Sequence, residues 1–196
     1  MLHKFNFGWQ RFSGLGGVAV LWLSIGIAMS IAHLGLIDMR PISYLGVDPR
    51  TKLLFSGGLL LSSALFIVFA LQLHRNFKLR PRFLAYFLVG QAGQIVAAIV
   101  PYGATSSLRL IHTIAAYILA FSLPLLIREF ARSRSTDHFY PVYRWLTWLE
   151  LLAFAVGISL FVFTSGIAPL GEALPALGFH LWIIVITFLL KYRSCQ

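Results

Sequence analysis

Acidic side chains are scarce in this chain: six Asp and Glu among 196 residues, against 16 Lys and Arg, for a net charge of +10. Charged residues of both signs reach only 11%, where a soluble domain carries about 25%. Cysteine occurs once, as Cys195 beside the C-terminus. That excludes an intramolecular disulfide and any cysteine-built metal centre. No Gly-rich phosphate loop and no nucleophile-elbow serine is present. Low-complexity linkers are also missing, and no connection is long enough for a second domain.

What fills the chain instead is hydrocarbon. Hydrophobic residues make up 59% and the mean hydropathy is +0.82. A soluble chain of this composition would expose large apolar patches and aggregate. Six apolar stretches stand out, at 15–37, 53–73, 83–101, 108–127, 143–165 and 174–190. Each approaches the roughly 20 residues that a helix needs to cross a bilayer. The first is longer than the apolar part of a signal peptide and is expected to be an uncleaved span. Lipid cannot satisfy free backbone groups, and the alternating pattern of a barrel is absent, so helices are the expected spanning structure. Pro41, Gly46, Pro49, Pro81, Pro101, Gly103, Pro141, Pro169, Gly171 and Pro175 mark the turns. The expected fold is therefore all-α, a polytopic bundle of six transmembrane helices in a single domain.

The basic residues are sorted by side. Twelve of them (Lys4, Arg11, Arg75, Lys78, Arg80, Arg82, Arg128, Arg132, Arg134, Arg144, Lys191, Arg193) fall on the side of the termini, and four (Arg40, Arg50, Lys52, Arg109) fall opposite. In short loops this excess marks the cytoplasmic face, so both termini are expected there and the protein in the cell membrane. The basic loops 75–82 and 128–144 are expected to meet anionic lipid headgroups. Basic residues at helix ends rather than along one face argue against nucleic acid. A membrane-protein partner or a homo-oligomer is compatible with the pattern.

A polar side chain at membrane depth is costly unless partnered, and so is a candidate site. His33, His112 and His180 are expected within about 10 Å of the outer boundary. Asp38, Ser43, Tyr102, Arg109 and Glu172 are candidates for the same layer. Three imidazoles and a carboxylate can hold zinc or relay protons, although no spacing here is a metal signature and helix-end histidines also simply bond water. No cofactor is otherwise expected. Glu150 lies deeper, and is expected to face the bundle and meet Gln91, Gln94 or a serine of another span. Gln91 and Gln94 share a face near mid-membrane, where amides knit helices together or bind a ligand. The many aromatic residues read mostly as lipid-facing bulk.

Ile42-Ser43-Tyr44-Leu45-Gly46 before the second span, Pro101 after the third, and His112 opening the fourth resemble the pattern of the family catalogued as domain of unknown function 998. Those are six-helix membrane proteins of bacteria and archaea. The six-span eukaryotic autophagy modulators are a more distant likeness. The resemblance is clearest over spans 1 to 4. It implies the architecture and places Ser43, Gly46 and His112 on one side, but it implies no reaction. Three roles remain open from sequence: a protein that binds a lipid or small amphiphile, a structural or accessory subunit, and a membrane-embedded lipid hydrolase or transferase with a His-rich site.

Overall fold

The computed structural model describes residues 12–103, 105–163 and 168–193, with side chains through residue 189. Among them are six long helices: α1 (Ser13–Ala32), α2 (Lys52–Phe77), α3 (Pro81–Ile99), α4 (Ser106–Ser133), α5 (Tyr140–Phe163) and α6 (Ala168–Arg193). All six are long and apolar enough to cross a membrane, and no strand occurs among the described residues. This is a multi-pass membrane protein. Because the number of crossings is even, the start of α1 and the end of α6 lie at one end of the bundle. The opposite end carries a short 3-10 helix, Ile42–Gly46, in the α1–α2 connection.

Local chemistry sets the helix ends. Pro81 opens α3, its fixed φ suiting the first turn and its missing N–H costing nothing there. Thr105 caps α4 by accepting a hydrogen bond from Leu108 N at 3.2 Å. Lys78 closes α2 in the left-handed region at φ 47°. The long α1–α2 connection is ordered by two similar turns. In Asp38-Met39-Arg40 and Asp48-Pro49-Arg50, the carboxylate accepts from the backbone N–H and the guanidinium of the Arg two residues on.

Three ends depart from the sequence expectation. The first span was expected to reach residue 37, but α1 stops at Ala32. His33 takes φ 51°, and Leu34 N bonds back to Met29 O at 2.9 Å, a Schellman-like stop without glycine. The apolar residues after it, Leu36 and Ile37, are exposed loop. α4 continues past 127 to Ser133, carrying the Glu129–Arg132 pair and tolerating a buried Pro124. α6 begins six residues before the expected 174. Pro169 sits in its first turn and Pro175 lies inside the helix rather than ending it. A transmembrane helix absorbs such a proline because its neighbours supply alternative contacts.

Consecutive helices pack as hairpins, most extensively α3 on α4, α1 on α2 and α5 on α6. The α5–α6 contact depends on Gly157 and Gly171, since a Cβ on either would lie 2.8–3.0 Å from the other's carbonyl oxygen. The half of the bundle nearest the termini is filled with rings, which corrects the view of the aromatics as lipid-facing bulk. Trp182, fully buried, contacts Phe69, Phe83, Phe130 and Phe179 at centroid distances of 5.3–6.4 Å. Trp145 and Trp148 do face outward. The half nearest the 3-10 helix is not filled, and it holds the site.

Candidate functional site

Above the ring-packed core lies a cavity of about 220 Å³ to which all six helices and the 3-10 helix contribute. Its walls are apolar: Leu21 and Ile25 of α1, Phe55 of α2, Leu119 and Leu123 of α4, Phe161 of α5. Phe179 links its floor to the aromatic core. Its polar groups are few, and they come from Trp22, Ser43, Gln94, Tyr102, His112, Thr113, Glu172 and His180.

Glu172 and Ser43 tie α6 to the 3-10 helix. Ser43 N donates to Glu172 Oε2 at 3.1 Å, and Ser43 Oγ donates to Oε1 at 3.0 Å. Glu172 stands on a helix because α6 starts early, so its depth is fixed by that helix rather than by a loop. Two turns further along α6, about 12 Å deeper, His180 is buried and accepts at Nδ1 from the indole N–H of Trp22 at 3.0 Å. An indole nitrogen only donates, so this bond places the ring proton on Nε2. Phe66 stacks on the same imidazole at 5.5 Å. His112 is arranged the other way. Its Nδ1 lies 2.7 Å from Val100 O, and a carbonyl only accepts, so Nδ1 carries a proton, and the neutral ring then presents Nε2 as its acceptor. Tyr102 meets the His112 ring edge-on at 5.5 Å.

The cavity has an open side. Among its lining residues the exposed ones are Ala116 and Tyr117 of α4; Thr113, Ala120, Ile158 and Phe161 of α4 and α5 are half-exposed, as are Trp22, Leu59, Ala97, Tyr102 and Glu172 on other elements. α4 and α5 pack less extensively than any other consecutive pair.

Of the residues singled out in the sequence, Ser43, Gln94, His112 and His180 line the cavity, together with Tyr102 and Glu172. His33 does not join them. It is exposed on the turn that ends α1, so the expected three-histidine layer is not formed. No group of three or more His, Cys, Asp or Glu able to hold a metal ion occurs among the described residues. Asp38 faces away and is taken by Arg40 at 2.9 Å; the hydrogen bonds from Arg40 hold its carboxyl at about 2, below the usual 3.8. Arg109 is exposed, with its guanidinium over the Tyr102 ring at 5.7 Å, outside the cavity wall.

The mid-membrane expectations divide. Gln94 does knit helices, donating to Leu59 O at 3.0 Å and Ser62 Oγ at 2.8 Å on α2. Gln91 is buried with neither amide atom bonded among the described residues. Glu150 faces the bundle as expected, but it meets none of the partners expected for it. It is 0% exposed, neither oxygen has a hydrogen bond among the described residues, and the carboxyl presses against the bare Cα of Gly178. Trp22 and Phe161 went unnoticed in the sequence. A buried indole seeking a partner for its N–H was the available signal for Trp22.

No curated protein and no solved structure is significantly similar to the chain. The profile of a family described as "Protein of unknown function (DUF998)" matches residues 39–190. The match leaves out α1 and runs through α5 and α6, where the sequence showed no recognisable pattern.

Proposed function

The chain belongs to that family, whose description names no activity, and from the site itself we propose that the protein binds a lipid or small amphiphile entering sideways from the bilayer. The cavity carries this reading: it has apolar walls, a polar group of Glu172, Ser43, Tyr102 and His112 toward one end, and a window between α4 and α5 on the lipid side. A soluble ligand would need an aqueous mouth, whereas an amphiphile arrives through the membrane. The volume bounds how much of the ligand fits. About 220 Å³ exceeds the roughly 150 Å³ of an apolar cavity that takes up benzene. It falls short of the roughly 300–1,000 Å³ of sites that enclose a drug-sized molecule. A head group and the first methylenes can enter, and the rest of the chain stays in the bilayer.

The excess of basic residues at the opposite end supports a cavity in the leaflet away from the cytoplasm, with both termini inside. Native mass spectrometry of the purified chain in a mild neutral detergent tests the reading. Wild type is expected to carry a bound amphiphile. Ala176→Phe, which puts a ring into the cavity, is expected to lose it while eluting as a folded protein. Equal lipid retention by both proteins would count against the cavity.

A further inference from the structure

We propose that the cavity selects an amphiphile whose head group is an ammonium ion. This rests on the amphiphile reading above and adds the charge of the ligand. The starting point is how this chain handles its acids. Of six acidic residues, four are paired with an arginine at 2.6–3.1 Å: Asp38 with Arg40, Asp48 with Arg50, Glu129 with Arg132, and Asp137 with Arg134. A fifth, Glu150, is sealed in the core. Glu172 alone of the acids lines the cavity, where it accepts from the N–H and hydroxyl of Ser43 and is paired with no arginine. No Lys or Arg occurs among the residues lining the cavity, although the chain carries ten more cations than anions.

The remaining polar groups leave the same need. With Nδ1 of His112 donating to Val100 O, the neutral ring has Nε2 as its acceptor. The bond from Trp22 makes Nδ1 of His180 an acceptor, so neither of these bonds calls for a cationic ring. An ammonium group has three donors and a positive charge. It would match the Glu172 carboxylate and the free nitrogen of His112. The faces of Trp22 and Phe161, both lining the cavity, add the attraction of aromatic rings for a cation. A carboxylate head would instead meet Glu172 with no cation in the wall.

The test uses three radiolabelled probes of one chain length: dodecylamine, dodecanol and dodecanoate. Binding is measured on the full chain in phosphatidylcholine nanodiscs, against empty nanodiscs. The net charge of +10 would by itself favour dodecanoate, so a preference for the amine cannot come from overall charge. A hydrogen-bonded charge pair predicts dodecylamine binding about 10- to 100-fold tighter than dodecanol, with dodecanoate weakest. Glu172→Gln should abolish the preference, bringing the amine down to the affinity of the alcohol. If that variant fails to fold, the order of the three probes on wild type still decides. Amine and alcohol binding equally, or dodecanoate binding tightest, overturns the inference; if Ala176→Phe still abolishes that binding, the amphiphile reading survives it. No probe binding above empty nanodiscs overturns both. Lysophosphatidylethanolamine separates the sources of the ammonium. Binding matching dodecylamine points to a phospholipid, and binding no better than dodecanol points to a simple alkyl amine; either result supports an ammonium head.

Discussion

Glu150 and Glu172 are both acids on membrane-spanning helices, with opposite surroundings. Glu172 has two donors and an open cavity; Glu150 has neither. Sequence position shows that Glu150 lies deep, and depth suggested a partner whose loss would be costly. The packing reverses that expectation. A buried polar group without a hydrogen bond is itself destabilising, and replacing it with an apolar side chain of similar size removes the penalty. Glu150→Leu is therefore expected to stabilise the bundle by about 1–3 kcal/mol, and Glu150→Gln to leave it near wild type. Thermal midpoints in detergent check the order; a leucine variant melting below wild type would show a partner that the structure does not reveal. The histidines teach a related lesson. His112 was placed correctly by counting along a helix that does continue through it, but His180 lies deeper than the expected layer because α6 starts at Ala168 rather than at 174. His33 was misplaced because the same count ran past a helix that stops at Ala32. An apolar run shows where a span can lie, but not where a left-handed turn ends it.

Helices meet where side chains are smallest, and the α5–α6 contact is the clearest case. A Cβ on Gly157 would approach Gly171 O at 2.8 Å, a backbone atom that moves only if the helix does. Gly157→Leu is expected to cost about 1–3 kcal/mol through overpacking. Gly157 and Gly171 also line the cavity, so the same change should disturb ligand retention. Gly57 is the control. It is exposed, and a Cβ there meets nothing within 4 Å. Gly57→Ala should be neutral or stabilising by up to about 1 kcal/mol, as alanine suits a helix better than glycine. Melting the two variants side by side checks the contrast; equal losses would mean that glycine content, not close approach, governs stability. Six helices were legible because hydrocarbon thickness imposes long apolar runs. The start of α6 was not, because Pro175 reads as a breaker in any local scan. The neighbours that let a helix continue through it, such as Gly157, are distant in sequence. That misreading hid the placement of Glu172 on the helix that anchors the 3-10 turn.

At the scale of the whole molecule, the bundle is unequal along its length. Aromatic rings fill the end near the termini, and a polar-tipped cavity occupies the end with the 3-10 helix. Which leaflet the cavity serves depends on orientation. The guide to orientation is the placement of charge along the sequence: twelve basic residues fall in the segments on the side of the termini and four in the connections opposite. Two of those four, Arg40 and Arg50, are paired with Asp38 and Asp48, and two of the twelve, Arg132 and Arg134, with Glu129 and Asp137, so pairing leaves the excess on the same side. Such a contrast is expected to hold the basic end on the cytoplasmic side, which would open the cavity to the outer leaflet. The single native cysteine makes this measurable. In a Cys195→Ser background, Ser106→Cys sits at the exposed start of α4 by the cavity, and Ser135→Cys at the exposed α4–α5 turn. An impermeant maleimide on intact cells should label position 106, and position 135 only after permeabilisation. The reverse pattern would place the cavity in the cytoplasmic leaflet. An amphiphile would then have to come from the inner side, and the excess of basic residues would have failed as a guide to this bundle.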